Sequence, residues 1–178
     1  MLVADTMNEG IWFLALGVGM FAGWTDWQTR RIPNWLTLPG LFLGVAAHWI
    51  MAGGAGVQQS LKGAGLALVI LLPLVLLRGL GAGDWKLMGA LGALLGLRMV
   101  LVVLLGAVII AGIMGAVQIT CRRRWGATVR NLRDLLLSFC SLRWGVHPRI
   151  NLDNPELQSV PFGTATALSM LICFGLAR

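Results

Sequence analysis

The chain has 178 residues, 57% of them hydrophobic and only 12% charged, with 24 glycines. Soluble domains run at roughly 45–50% apolar and about 25% charged residues, so this composition excludes a soluble globule and leaves no room for a separate soluble catalytic domain. The net charge of +7, from 14 Lys and Arg against 7 Asp and Glu, matches the basic bias of cytoplasmic loops in polytopic membrane proteins; no nucleic-acid partner is expected.

The N-terminal stretch MLVADTMNEG carries Asp5 and Glu9 and no base, so it lacks the basic n-region of a cleavable signal. The first apolar run is therefore expected to persist as a span. Runs bounded by charge or glycine predict spans at 10–26, 34–52, 62–80, 84–97, 99–120 and 160–177. As one helix, 87–120 would be about 50 Å long, against a hydrocarbon core of about 30 Å; a break at Gly96-Leu97-Arg98 resolves this. Six spans with both termini outside place Arg30, Arg31, Arg78, Lys86 and the arginine-rich stretch after 120 inside, and only Lys62, Arg98 and Arg178 outside, in accord with the positive-inside rule. Five spans would set Arg30 and Arg31 against that stretch. Trp24, Trp27, Trp35 and Trp85 then fall at inner ends, and Trp12 and Trp49 at outer ends, as interfacial belts. The expected fold is an all-α polytopic membrane protein of six transmembrane helices, a single membrane domain over 1–178.

Residues 27–33 read as a tight inner turn holding Asp26, with Pro33 at the start of the second span, where its fixed φ suits a helix. Pairs at Gly19/Gly23, Gly40/Gly44 and Gly92/Gly96 have the spacing of close helix packing. The inner basic segment, 121–159, contains Val129, Leu132, Leu135, Leu136, Phe139 and Cys140 at helical spacing among arginines. This predicts an amphipathic helix on the inner leaflet, meeting anionic lipid, with a protein-docking helix as the alternative. Residues 147–158, with Pro148 and Pro155, read as loop. Cys121, Cys140 and Cys173 form no CxxC pair, and His48 and His147 have no ligand spacing, so neither a metal nor any other cofactor is expected.

Five of the seven acids lie in the outer tail or the basic inner segment, leaving Asp26 and Asp84. The topology, derived without them, puts both at the inner face. Two carboxylates in one partly dry site do not both ionise readily and tend to share a proton. One can then act as base on a water while the other polarises a peptide carbonyl. Pairing with Arg30, Arg31 or Lys86 would account for them equally well on topology alone. The sequence GAGDWKL, 81–87, shifts the balance, because Gly81 and Gly83 permit irregular backbone and close approach beside the acid.

Three blocks, DWQTRRIPNWLTLPGLFLG (26–44), GLGAGDWKLMGALGALLG (79–96) and VPFGTATAL (160–168), resemble the signatures of type IV prepilin peptidases, membrane aspartic proteases with a GxGD motif. The chain is most similar to the short form of tight-adherence (Flp-type) pilus systems. The resemblance implies that Asp26 and Asp84 are the catalytic pair. It implies cleavage of a basic leader from pilin-like precursors, after a glycine, at the cytoplasmic face of the bacterial inner membrane. Gly81, Gly83, Lys86, Pro33, Asn34, Pro161, Phe162 and Gly163 match the blocks as site-shaping residues. Long members also methylate the new N-terminus with S-adenosylmethionine and carry an N-terminal segment with paired CxxC motifs; neither is present here, which implies peptidase activity alone. A small proton-coupled transporter using the two acids as a relay, or a non-catalytic scaffold, are the competing classes.

Overall fold

The structure, a computed structural model, describes residues 9–76, 80–121 and 160–177. Among these residues there are four α-helices: α1 (Glu9–Thr29), α2 (Asn34–Leu76), α3 (Ala82–Cys121) and α4 (Phe162–Ala177). The two long ones are each interrupted. In α2 the helix breaks at Ala52 (φ −137°, ψ 15°) and Gly53 (φ 57°, ψ −138°); in α3 it breaks at Gly96 (φ 73°, ψ −179°). Gly96 thus occupies a backbone region that is essentially reserved for glycine, at the place where the span-length argument requires an interruption.

The packing partners show that both breaks reverse the chain. Gly40 faces Ala90, and Gly44 faces Ala93 and Leu94, so the first half of α2 runs parallel to the first half of α3. Past Gly53 the order inverts: Ser60 donates to the Ala93 carbonyl, Gly63 abuts Gly92, and Leu68 meets Gly89. The same inversion occurs at Gly96. Met88 meets Thr166 before it, whereas Val103 meets Ser169 and Gly115 meets Val160 after it. Helix α1 runs antiparallel to α4, with Gly19 against Met170 and Gly23 against Ala167. The described residues therefore form six helical stretches of alternating direction. The end of α1 and the starts of α3 and α4 share one pole of the bundle; Glu9 and Ala177 share the other.

The bundle closes through small residues. Ala15, Ala22, Ala67, Ala90, Ala93, Ala107 and Ala165 are fully buried, around Leu87, Met88, Leu91, Leu94 and Val103. At Gly63 and Gly92 each backbone lies where the other's Cβ would stand, the close approach that drives helix association when lipid removes the hydrophobic incentive. Phe13, Phe42, Ile50, Leu105, Ile113 and Leu176 instead face outward. The halves of α2 and α3 belong to helices long and apolar enough to cross a membrane, and Phe162–Leu176 is a shorter apolar helix.

Three expectations need correction. The connection expected at 53–61 is a two-residue turn, and the helix resumes at once. Ser60, inside that expected connection, is completely buried and bonded to the Ala93 carbonyl. Asp26 is not in a turn over 27–33: α1 continues to Thr29, and the reversal is confined to Arg30–Pro33, with Arg30 at φ 52°. Trp12 is not a belt residue, being 5% exposed and packed against Phe174. Trp24, Trp27, Trp35 and Trp49 are exposed. The predicted helix around 129–140 and the loop 147–158 lie outside the described residues.

Candidate active site

Helix α1 delivers Asp26 to the pole where three helix ends meet. Because the carboxylate lies one turn before the helix ends, the rest of the helix fixes its direction. Gly23, one turn earlier on the same face, lets α4 approach: a Cβ there would lie 2.6 Å from Ala167 Cβ and 3.3 Å from the Gly163 carbonyl oxygen. Thr164 Oγ1 donates to the Gly23 carbonyl at 3.2 Å, tying the start of α4 to α1. That start is sharply set, with Pro161 and Phe162 buried and Ala165 N–H bonded to the Pro161 carbonyl. The result is that the Gly163 amide donates to Asp26 Oδ2 at 2.8 Å, and Asp26 is only 6% exposed. Arg30, on the same helix end, lies close enough for its charge to act on Asp26.

Asp84 comes from the first turn of α3, a position where a carboxylate opposes unpaired helix amides. Its side chain folds back over the chain entry. A Cβ on Gly81 would lie 3.0 Å from Asp84 Oδ2, and the Gly81 amide faces the carboxylate. Gly83 is pressed against the turn that follows α1, where a Cβ would come within 3.2 Å of Ile32 Cβ and 3.4 Å of the Ile32 carbonyl. Two further bonds hold this corner. Trp85 Nε1 donates to the Leu68 carbonyl at 2.8 Å, and Lys86 Nζ donates to Asn34 Oδ1 at 3.0 Å, joining the starts of α2 and α3.

These elements bring the two acids into one site. The Gly163 amide faces Asp84 as well as Asp26, and the Asp26 charge acts directly on Asp84. Asp84 Oδ1 is enclosed and, among the described residues, has no hydrogen-bond partner. An enclosed oxygen without a partner is costly and marks where a ligand group would bind, because a carboxyl oxygen can accept from water or, when protonated, donate to a carbonyl. Such an arrangement can take a proton from water and give one to a peptide oxygen, the two requirements of general acid–base hydrolysis.

All the residues singled out in sequence fall at this pole. Gly81 and Gly83 touch Asp84 and Ile32; Lys86 and Asn34 bond to each other; Pro33 immediately precedes α2, its carbonyl accepting from Leu36 N–H; Pro161 immediately precedes α4, which Phe162 and Gly163 begin. Sequence reasoning read Gly23 as a helix-packing residue, which its contact with Ala167 bears out, but did not connect it to the site, and it missed Ile32 and Thr164. Gly23 stands three residues before Asp26, hence on the same face, and Ile32 is a lone apolar residue in a polar turn; each was a usable signal. His48 bonds the Gly44 carbonyl at 3.0 Å. Among the described residues no cluster of His, Cys, Asp and Glu could hold a metal.

A family model described as the type IV leader peptidase family matches residues 12–116 of the chain. No curated protein and no solved structure matches it. The matched stretch includes Asp26 and Asp84 but ends before α4.

Proposed function

Given that the chain belongs to the type IV leader peptidase family, we propose that it is a membrane aspartic endopeptidase with Asp26 and Asp84 as its catalytic pair. Its substrates are pilin-like precursors, cut between a basic leader and the apolar helix that follows. The observation that carries the reading is the convergence of both carboxylates on the Gly163 amide, with Asp84 Oδ1 unpartnered among the described residues.

In the proposed reaction one carboxylate removes a proton from a water as its oxygen bonds to the scissile carbonyl carbon. The other carboxyl, protonated, donates to the carbonyl oxygen. The tetrahedral diol then collapses: the C–N bond breaks, the leaving amine takes the proton held by the first carboxyl, and the diol hydroxyl that becomes the new C=O returns its proton to the second carboxylate. One acid ends protonated and one ionised, as at the start. The pair titrates jointly, so its two apparent steps belong to neither residue alone.

The site lies on the cytoplasmic side if the six helical stretches are six spans with both termini outside, an arrangement supported by Arg30, Arg31 and Lys86 at the aspartate pole. The chain is then one membrane domain over 1–178 in the bacterial inner membrane, with anionic lipid against its basic segment. The assigned activity is cleavage of the leader. Purified protein reconstituted with a prepilin tests this: release of the leader and a new N-terminus at the leader junction is expected. Proton-driven solute flux without cleavage would establish the transporter instead.

A further inference from the structure

We infer that Gly163 is a positioning residue for this site: its main-chain amide holds the Asp26 carboxylate in register with Asp84. Its lack of a side chain is what allows α4 to bring that amide there. The inference rests on the peptidase reading above; the helix that supplies the amide, α4, lies outside the matched residues 12–116.

Three observations converge on it. The Gly163 N–H to Asp26 Oδ2 bond, 2.8 Å long, is buried and links residues 137 apart in sequence, so it is made by tertiary docking and not by local chain geometry. The same amide also faces Asp84, so one fixed dipole is shared by both acids, beside the Thr164 amide at Asp26 and the Gly81 amide at Asp84. Finally, a Cβ at residue 163 would lie 3.0 Å from both Asp26 Cβ and Asp26 Oδ2 and 3.1 Å from Ile32 Cδ1. Contacts that tight force Asp26, Ile32 or the helix to move. Ile32 also buttresses Gly83, so displacement at 163 reaches both acids.

Chemically, an amide that donates to one carboxylate and faces another stabilises the pair while it carries a single negative charge. Among the described residues, the charged groups that act on Asp26 are Arg30 on its own helix and Asp84 on α3. Helix α4 contributes backbone dipoles alone. Moving the amide therefore alters the geometry of the dyad and the pH range over which it holds one shared proton.

The test is steady-state cleavage of a prepilin by Gly163→Ala across pH, beside wild type and Gly19→Ala. The latter strains the same α1–α4 seam, where a Cβ would meet Met170 Sδ at 2.5 Å, but is remote from the acids. A Cβ at these distances makes its neighbours give by a few tenths of an ångström, and displacing a catalytic group by about 1 Å can cost about 100-fold. Gly163→Ala is therefore expected to lower kcat about 3- to 10-fold, leave KM within about twofold, and displace the pH profile. Gly19→Ala should keep the wild-type profile. If Gly163→Ala does not fold, Thr164→Val, which removes the tie to Gly23 while keeping Gly163, should show the same split at smaller amplitude. Wild-type kcat and pH profile in the folded Gly163→Ala protein, or in Thr164→Val where that is the variant used, would overturn the inference, as would an equal kcat loss and pH displacement in Gly19→Ala. Failure of wild type itself to cleave would instead reject the peptidase reading.

Discussion

Asp26 and Asp84 occupy unlike surroundings although they face the same amide. Asp26 is closed in by α4 and bonded at Oδ2, whereas Asp84 retains an enclosed Oδ1 that is unpartnered among the described residues. A pair that works with one shared proton fails when both acids are protonated and again when both are ionised. Cleavage should therefore follow a bell-shaped pH dependence in kcat/KM, whose limbs report the pair. A single limb, or a flat profile, would contradict a carboxyl dyad. Gly83 provides a second check at this scale. Its Cβ position falls 3.2 Å from Ile32 Cβ and 3.4 Å from a main-chain oxygen, so Gly83→Val must push the start of α3 away from the turn that follows α1. It should lower cleavage at least tenfold while the bundle remains folded, read as kcat on protein with an unchanged melting temperature.

At the scale of elements, the two breaks convert two long helices into two hairpins. Gly96 has φ 73° and ψ −179°, and an alanine held there costs about 1–3 kcal/mol. Gly96→Ala should lower the melting temperature of the purified protein, while Gly65→Ala, with nothing within 4 Å of its Cβ position, should not. Helix propensity alone favours alanine over glycine, so a stabilised Gly96→Ala protein would show that the break is not required. The hairpin at Gly96 was legible in sequence because length is a hard constraint: no bilayer accommodates the whole of 87–120 as one span. The tightness of the turn at Ala52–Gly53 was not legible. Polar residues such as Gln58, Gln59 and Ser60 signal loop in a linear reading, and only the Ala93 carbonyl on a neighbouring helix makes Ser60 a core residue. Trp12 misled for a related reason, since its partner, Phe174, lies at the far end of the chain. The candidate acids could be picked out because two remained once the others were assigned to the outer tail and the basic segment. Their shared amide could not, because it depends on how α4 docks.

For the whole molecule, the outward face is built from large apolar side chains and the seams from glycine and alanine, the reverse of what water would select and what lipid permits. Alternation of the six stretches puts the Arg30–Pro33 turn at the aspartate pole and the Ala52–Gly53 turn at the other. With both termini outside, a cysteine at Arg31→Cys should react with an impermeant thiol reagent only after the cells are opened, and one at Gly53→Cys should react in intact cells. The opposite pattern would invert the orientation and place the acids away from the cytoplasm.

The measurement closest to the central claim is leader removal from a co-expressed prepilin by the wild-type chain and by Asp26→Asn and Asp84→Asn, each quantified against its own membrane level. Both carboxyls are required for the proton transfers proposed, so each variant should lose at least about 1,000-fold in cleavage rate while accumulating normally. Full processing by either variant would contradict the dyad.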